Sequence, residues 1–145
     1  MGNGFDLEKQ AEQAKLEDKG IDVHIHGVDE KPLFYEKDGQ QFPVIINVSG
    51  AHSSQYRRVE QALRRRKLKP KNFTGELIYE DTIEKAAACT NGWEGFFING
   101  KPIDPTPHNI KEVYKRAPWV LDQVTEAMHD HQSFFSNSSP TQSNT

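Results

Sequence analysis

Six histidines, one cysteine and a dense basic run are the parts of this 145-residue chain whose types and spacing could do chemistry. His24 and His26 stand two apart, a spacing that puts both imidazoles on one face of a strand, where a pair can chelate a divalent metal. His129 and His131 share that spacing in a helical stretch, where positions i and i+2 diverge by roughly 200° and cannot share an ion. A catalytic metal needs a third ligand, and only His52, His108 or distant acids could supply it, with no recognisable motif. His24 and His26 therefore read as the polar side of an alternating strand. No metal ligand is expected, and stability should not respond to zinc or to a chelator. Cys89 closes an Ala86-Ala87-Ala88 run with no flanking base to activate it, so it reads as a small buried hydrophobe. A single cysteine also permits no internal disulfide, which fits a reducing compartment. The glycines form neither a P-loop nor a dinucleotide-binding turn, so no cofactor is expected. The chain reads as a non-enzyme with no catalytic residue.

The basic run is the remaining chemical feature. From Arg57 to Lys71 there are eight Lys/Arg against one acid, a local balance of +7 in a chain of net charge −3, which leaves −10 for everything else. Arg57, Arg58, Arg64, Arg65, Arg66, Lys67, Lys69 and Lys71, flanked by Tyr56 and Phe73, could neutralise phosphates. No helix-turn-helix or aromatic stacking motif accompanies them, and an acidic body repels a polyanion. An acidic protein surface or self-association is the better match, with nucleic acid a secondary possibility through the basic helix.

These residues must be positioned by a modest core, since only 34% of residues are hydrophobic and the mean hydropathy is −0.80. No stretch is apolar enough to span a bilayer, and residues 2–19 are too polar for a secretory signal. The patterning divides the chain into a polar helix within 1–20, a single α+β domain over 21–135 and a disordered Ser/Asn/Thr/Gln tail from 136 to 145. Asn3 is the expected cap of the first helix, whose apolar stripe is Phe5, Leu7, Ala11, Ala14 and Leu16. Period-two alternation at Ile21, Val23 and Ile25 predicts a strand, followed by strands at Pro32–Tyr35 and Phe42–Val48 around an Asp38-Gly39 turn, together a small antiparallel meander. Helical periodicity then predicts a helix from Ser53 or Ser54 to before Pro70, with Tyr56, Val59, Ala62 and Leu63 on one face, and another from about Gly75 or Glu76 to Cys89 stopped by Asn91-Gly92. Asn99-Gly100 predicts a hairpin between Phe96–Ile98 and Ile103, with Pro102 at an edge. Thr106-Pro107 opens a helix to about Lys115, and Ala117-Pro118 opens the last one, to about Phe135. The expected core is Val23, Ile25, Val44, Ile46, Val48, Tyr56, Val59, Leu63, Leu77, Ile83, Trp93, Leu121, Val124 and Met128.

The order of several pieces resembles the small tail assembly chaperones of long-tailed bacteriophages. These are the β meander ending at Val44–Gly50, the Ser53-Ser54-Gln55-Tyr56-Arg57-Arg58 helix start, Thr90-Asn91-Gly92-Trp93, and Asn99-Gly100-Lys101-Pro102. Thr106-Pro107-His108-Asn109 with Val113-Tyr114, and Pro118-Trp119-Val120 leading to Phe134-Phe135, continue the resemblance, which covers residues 21–135. It implies a non-catalytic protein of the host cytoplasm that binds the tape-measure protein and recruits tail-tube subunits before leaving the finished tail. A longer product made by a −1 frameshift would diverge in 136–145. A structural virion component or adaptor is the alternative, and a small nucleic-acid-binding regulator the third reading. Aromatic residues exceed what so polar a chain would leave in solvent, and aromatic and arginine side chains dominate binding hot spots. Tyr56, Arg57, Arg58, Arg65, Phe97 and Trp119 are accordingly the expected partner-binding residues.

Overall fold

The computed structural model describes residues 4–67 and 75–137. The fold is α+β, as the patterning predicts. Helix α1 (Leu7–Lys19) leads into β1 (Ile21–His24), then β2 (Phe34–Lys37), β3 (Gln40–Pro43) and β4 (Ile45–Val48). Helices α2 (Ser54–Lys67) and α3 (Gly75–Cys89) follow, then β5 (Thr90–Glu94), β6 (Phe97–Ile98) and β7 (Lys101–Pro102). Three helices close the order: α4 (Pro107–Arg116), α5 (Pro118–His129) and α6 (His131–Asn137).

The central sheet is β1-β4-β5, antiparallel throughout, and two separate hairpins, β2–β3 and β6–β7, flank it. The expected meander is thus corrected: β1 pairs with β4, with Val23 opposite Ile46, and the β2–β3 hairpin is an excursion between them. The expected single strand Phe42–Val48 is broken at Val44 for the same reason. Val44 donates its N–H to the Leu33 carbonyl and accepts from the Ile25 N–H, so the chain changes partner there, from the hairpin to the sheet. Asp38-Gly39 and Asn99-Gly100 both have positive φ at both residues, the type I′ geometry that matches strand twist, as their sequences predict.

One face of the sheet carries Ile46 and Val48 into the core, where Ile25, Val44, Ile83, Ala86, Cys89, Ile110, Tyr114, Val120, Leu121, Val124 and Met128 join them. The opposite face is polar: Asn91 Nδ2 donates to Asn47 Oδ1 and Asn47 Nδ2 to Asp22 Oδ1, a ladder across all three strands. Of the expected core, Val23, Tyr56, Val59 and Trp93 are only partly buried and the Leu77 side chain lies outside the described residues; Ala62, expected on the same face of α2 as Leu63, is exposed. Tyr114 is the largest fully buried side chain, made tolerable by a 2.6 Å hydrogen bond to the Thr90 hydroxyl.

Helix boundaries depart from expectation at three places. Asp6 caps α1, its carboxylate accepting from the Glu8 and Lys9 amides, while Asn3 lies outside the described residues. Asn91-Gly92 does not stop α3: the helix ends at Cys89 and both residues lie in β5, with Thr90 Oγ1 donating to the Ala86 carbonyl in the last turn. The last helix is two, because Asp130 breaks from helical geometry and holds Ser133 through both its carbonyl and its carboxylate. This turn directs α6 onto α1 and buries Phe134. The helix runs to Asn137, into the segment expected to be disordered, and 138–145 lies outside the described residues.

Candidate functional site

The expected partner-binding residues fall into two separate places. Phe97 and Trp119 meet at one groove, with the β6–β7 hairpin as one wall and α4 with the start of α5 as the other. Local chemistry sets both walls. Trp93 Nε1 donates to the Ile103 carbonyl at 2.8 Å and Ile103 N to the Phe96 carbonyl, which pins the hairpin to the central sheet. Thr106 Oγ1 caps α4 by accepting from Asn109 N, and the proline starts of α4 and α5 fix the bend between them. The groove has a volume of about 430 Å³ and is lined chiefly by Phe97, Ile98, Val113, Trp119 and Val120, with the Arg116–Glu112 ion pair alongside. Phe97, Ile98 and Trp119 are 44%, 48% and 40% exposed, so three large apolar side chains converge without being covered. Such convergence marks interaction surfaces, whereas singly scattered apolar residues do not.

Tyr56, Arg57, Arg58 and Arg65 sit on α2, and none of them lines that groove. Tyr56 packs edge-on against His129, at the end of α5 opposite Trp119, about 15 Å away along the helix. Its ring also lies 5.6 Å beneath Lys85 Nζ. Arg57, Arg58 and Arg65 are exposed, as are Arg64 and Arg66. Three of these arginines have internal partners: Arg66 pairs with Asp81 of α3, Arg64 with Glu60, and Arg57 donates to the His52 carbonyl. Lys69, Lys71 and Phe73 lie outside the described residues.

The histidines are arranged differently from their sequence spacing. His24 Nε2 is bonded to the Leu33 carbonyl and His26 Nδ1 to the His24 carbonyl, and Gln123 clamps the His26 backbone from α5. Each imidazole thus has one ring nitrogen bonded to a backbone carbonyl. His129 Nδ1 faces the Thr125 carbonyl, and His108 borders the aromatic groove. His52 and His131 instead converge on Glu17, a fully buried acid of α1.

Glu17 is held from four directions. Gln13 Nε2 donates to it at 2.7 Å, the His52 backbone N–H at 2.8 Å, and His52 Nδ1 and His131 Nδ1 approach at 3.2 and 2.9 Å. The two imidazoles stack at 3.8 Å, within 7° of parallel. Burial alone would push the carboxyl pKa up; the bonds from Gln13, the His52 amide and His131, with the charge of His131, outweigh it and hold the group below its ordinary value. No local sequence signal marks this cluster, since its members are separated by 35 and 114 residues. Cys89 is buried as expected, and desolvation pushes its thiol up to about 11, which disfavours the thiolate at neutral pH. Comparison with protein-family models, with curated proteins and with solved structures finds no match.

Proposed function

We propose that the chain is a non-catalytic binding protein of the phage tail assembly chaperone type, acting in the host cytoplasm. Its task is to cover an apolar helical segment of the tape-measure protein and recruit tail-tube subunits. The observation that carries this reading is the convergence of Phe97, Ile98 and Trp119, each 40–48% exposed, on one groove between the β6–β7 hairpin and α4–α5. An amphipathic helix presents apolar side chains at i, i+3, i+4 and i+7, and a groove with aromatic walls suits such a stripe. The resemblance described above supplies the identity of the partner. The exposed arginines of α2 form a second surface, suited to acidic groups on a partner or on another copy of the chain.

Co-expression with tape-measure and tail-tube proteins followed by pull-down tests the reading. The wild-type chain should retain the tape-measure protein, and Phe97→Asp or Trp119→Ser should release it while leaving the thermal transition within a few degrees of wild type. Retention by both variants would remove the groove from consideration. Presence of the protein in purified virions would favour the structural-component reading. Co-purifying nucleic acid released by moderate salt, with no tape-measure capture, would make α2 the functional surface instead.

A further inference from the structure

We propose that Glu17, His52 and His131 form a binding site for a divalent transition-metal ion of the zinc class, a property that goes beyond partner binding and does not depend on it. The donor set is two imidazoles and one carboxylate, a combination that suits zinc and leaves a position open to solvent. All three ligand atoms lie within 4.8 Å of one another. Glu17 Oε2 stands 2.9 Å from His131 Nδ1 and 3.2 Å from His52 Nδ1. Ligands in a tetrahedral site with bonds of 2.0–2.1 Å are separated by about 3.3 Å, so the carboxylate–imidazole spacings already approach what an ion requires.

The surroundings are those of a built site. Glu17 is fully buried, and its carboxylate is oriented by Gln13 Nε2 and the His52 amide, outer partners of the kind that fix ligand direction. Gln13 Nε2 also reaches the His131 carbonyl, which ties the two ligand-bearing segments together. The His52 and His131 side chains are 59% and 35% exposed, so an ion can enter and a water can complete its coordination. The ligands come from α1, from the turn before α2 and from the first residue of α6, so a bound ion would staple three segments. Two adjustments are required. Each Nδ1 now donates its proton to the Glu17 carboxylate, so binding shifts that proton to Nε2 to free the Nδ1 lone pair, and, because the rings are nearly parallel, it also turns the more exposed His52 out of the stack.

The test is calorimetric titration of the chelator-stripped full chain with zinc chloride, alongside 15N spectra of the imidazoles. The expected result is saturable binding of one Zn2+ per chain, with the Nδ1 signals of His52 and His131 moving and Tm rising with zinc concentration. His52→Gln and Glu17→Gln should each weaken binding by roughly 100-fold or more, since outer partners alone are worth 10- to 100-fold. His24→Ala should leave it intact. Because Glu17→Gln alters a buried group, His52→Gln decides the matter if the former does not fold. Absence of saturable binding to the folded chain, survival of binding in a folded His52→Gln variant, or its loss in His24→Ala would each overturn the assignment. Tape-measure capture is read separately, so either result can fail without the other.

Discussion

Gly50→Ala tests how α1 is held to the rest of the fold. A Cβ at Gly50 would stand 2.7 Å from Glu17 Cδ and 2.8 Å from its Cγ, and would overlap Oε1. Relaxed carbon–carbon contacts are about 3.5–4.0 Å, so one side must give by most of an ångström. The carboxylate cannot retreat freely, because doing so breaks the bonds from Gln13, His52 and His131, and the backbone is tied too, Gly50 N donating to the Glu17 carbonyl at 3.0 Å. Overpacking costs about 1–3 kcal/mol, and each strained bond to a charged group is worth about 1.5–3 kcal/mol. Partial relaxation places the expected loss at about 2–4 kcal/mol, a Tm drop of roughly 6–12 °C for a domain of this size. Urea unfolding of Gly50→Ala, Glu17→Ala and the double variant provides the assay. Glu17→Ala empties the space the new methyl needs, so Gly50→Ala should cost less than about 0.5 kcal/mol in that background, giving a coupling of about 1.5–4 kcal/mol. Additive costs, or a neutral single variant, would refute the account of α1 docking.

Core truncations should follow burial: Val124→Ala and Leu63→Ala, at 0% and 5% exposure, should lose about 1–4 kcal/mol by urea unfolding. Phe134→Ala should cost about 3–5 kcal/mol, because the turn at Asp130 buries that ring; a cost below 1 kcal/mol would show that α6 is not docked as described. Cys89 should react with a thiol reagent at neutral pH only after unfolding, and equal rates in folded and denatured protein would contradict its burial. Its thiol pKa, raised by desolvation from 9.0 to about 11, means the folded state holds the proton more tightly than the unfolded one. That stabilisation is complete below about pH 9 and lost as pH rises through about 11, up to about 2–3 kcal/mol, so Cys89→Ala should flatten the alkaline fall in Tm.

What the sequence discloses is what is local. Asp38-Gly39 and Asn99-Gly100 carry their turn geometry in two residues, and Thr106-Pro107 carries a helix start in two more. Ile46, Val48, Leu121, Val124 and Met128 betray their burial by period alone. The partner change at Val44 is different, because nothing in Phe42–Val48 says that one half pairs with β2 and the other with β1. Asp130 interrupts a stretch of helical periodicity whose apolar positions continue beyond it, so the break is invisible to spacing. Residue type singles out Phe97 and Trp119 as partner anchors, and the fold brings both to one groove; Tyr56, grouped with them, packs at the other end of α5. His24 and His26, two apart in sequence, each bond a backbone carbonyl through one ring nitrogen, whereas His52 and His131 meet only through an acid that spacing gives no reason to select.

The docking of α1 shows why polar residues must do this organising in a chain with so little apolar surface. Phe5 and Leu7, the first members of its expected apolar stripe, are 78% and 73% exposed, and the only fully buried residue of the helix is Glu17. Of that stripe only Ala14 and Leu16 are even partly buried, so hydrophobic burial contributes little to orienting α1. Instead its C-terminal turn is a cluster of acceptors: the Glu17 carboxylate takes Gln13, His52 and His131, the Asp18 carboxylate takes the Ser54 amide at 2.6 Å, and the Asp18 carbonyl takes Ser49 Oγ and Gln55 Nε2. Ser54 opens α2, so the Asp18 charge also faces the positive end of that helix. Hydrogen bonds of this kind are directional where apolar contact is not, and a buried carboxylate tolerates no misplacement of its donors. The same acceptors that fix α1 against α2 and α6 thus gather two imidazoles around one acid. A fold with a larger core could have docked α1 through leucines, and would have had no reason to assemble them.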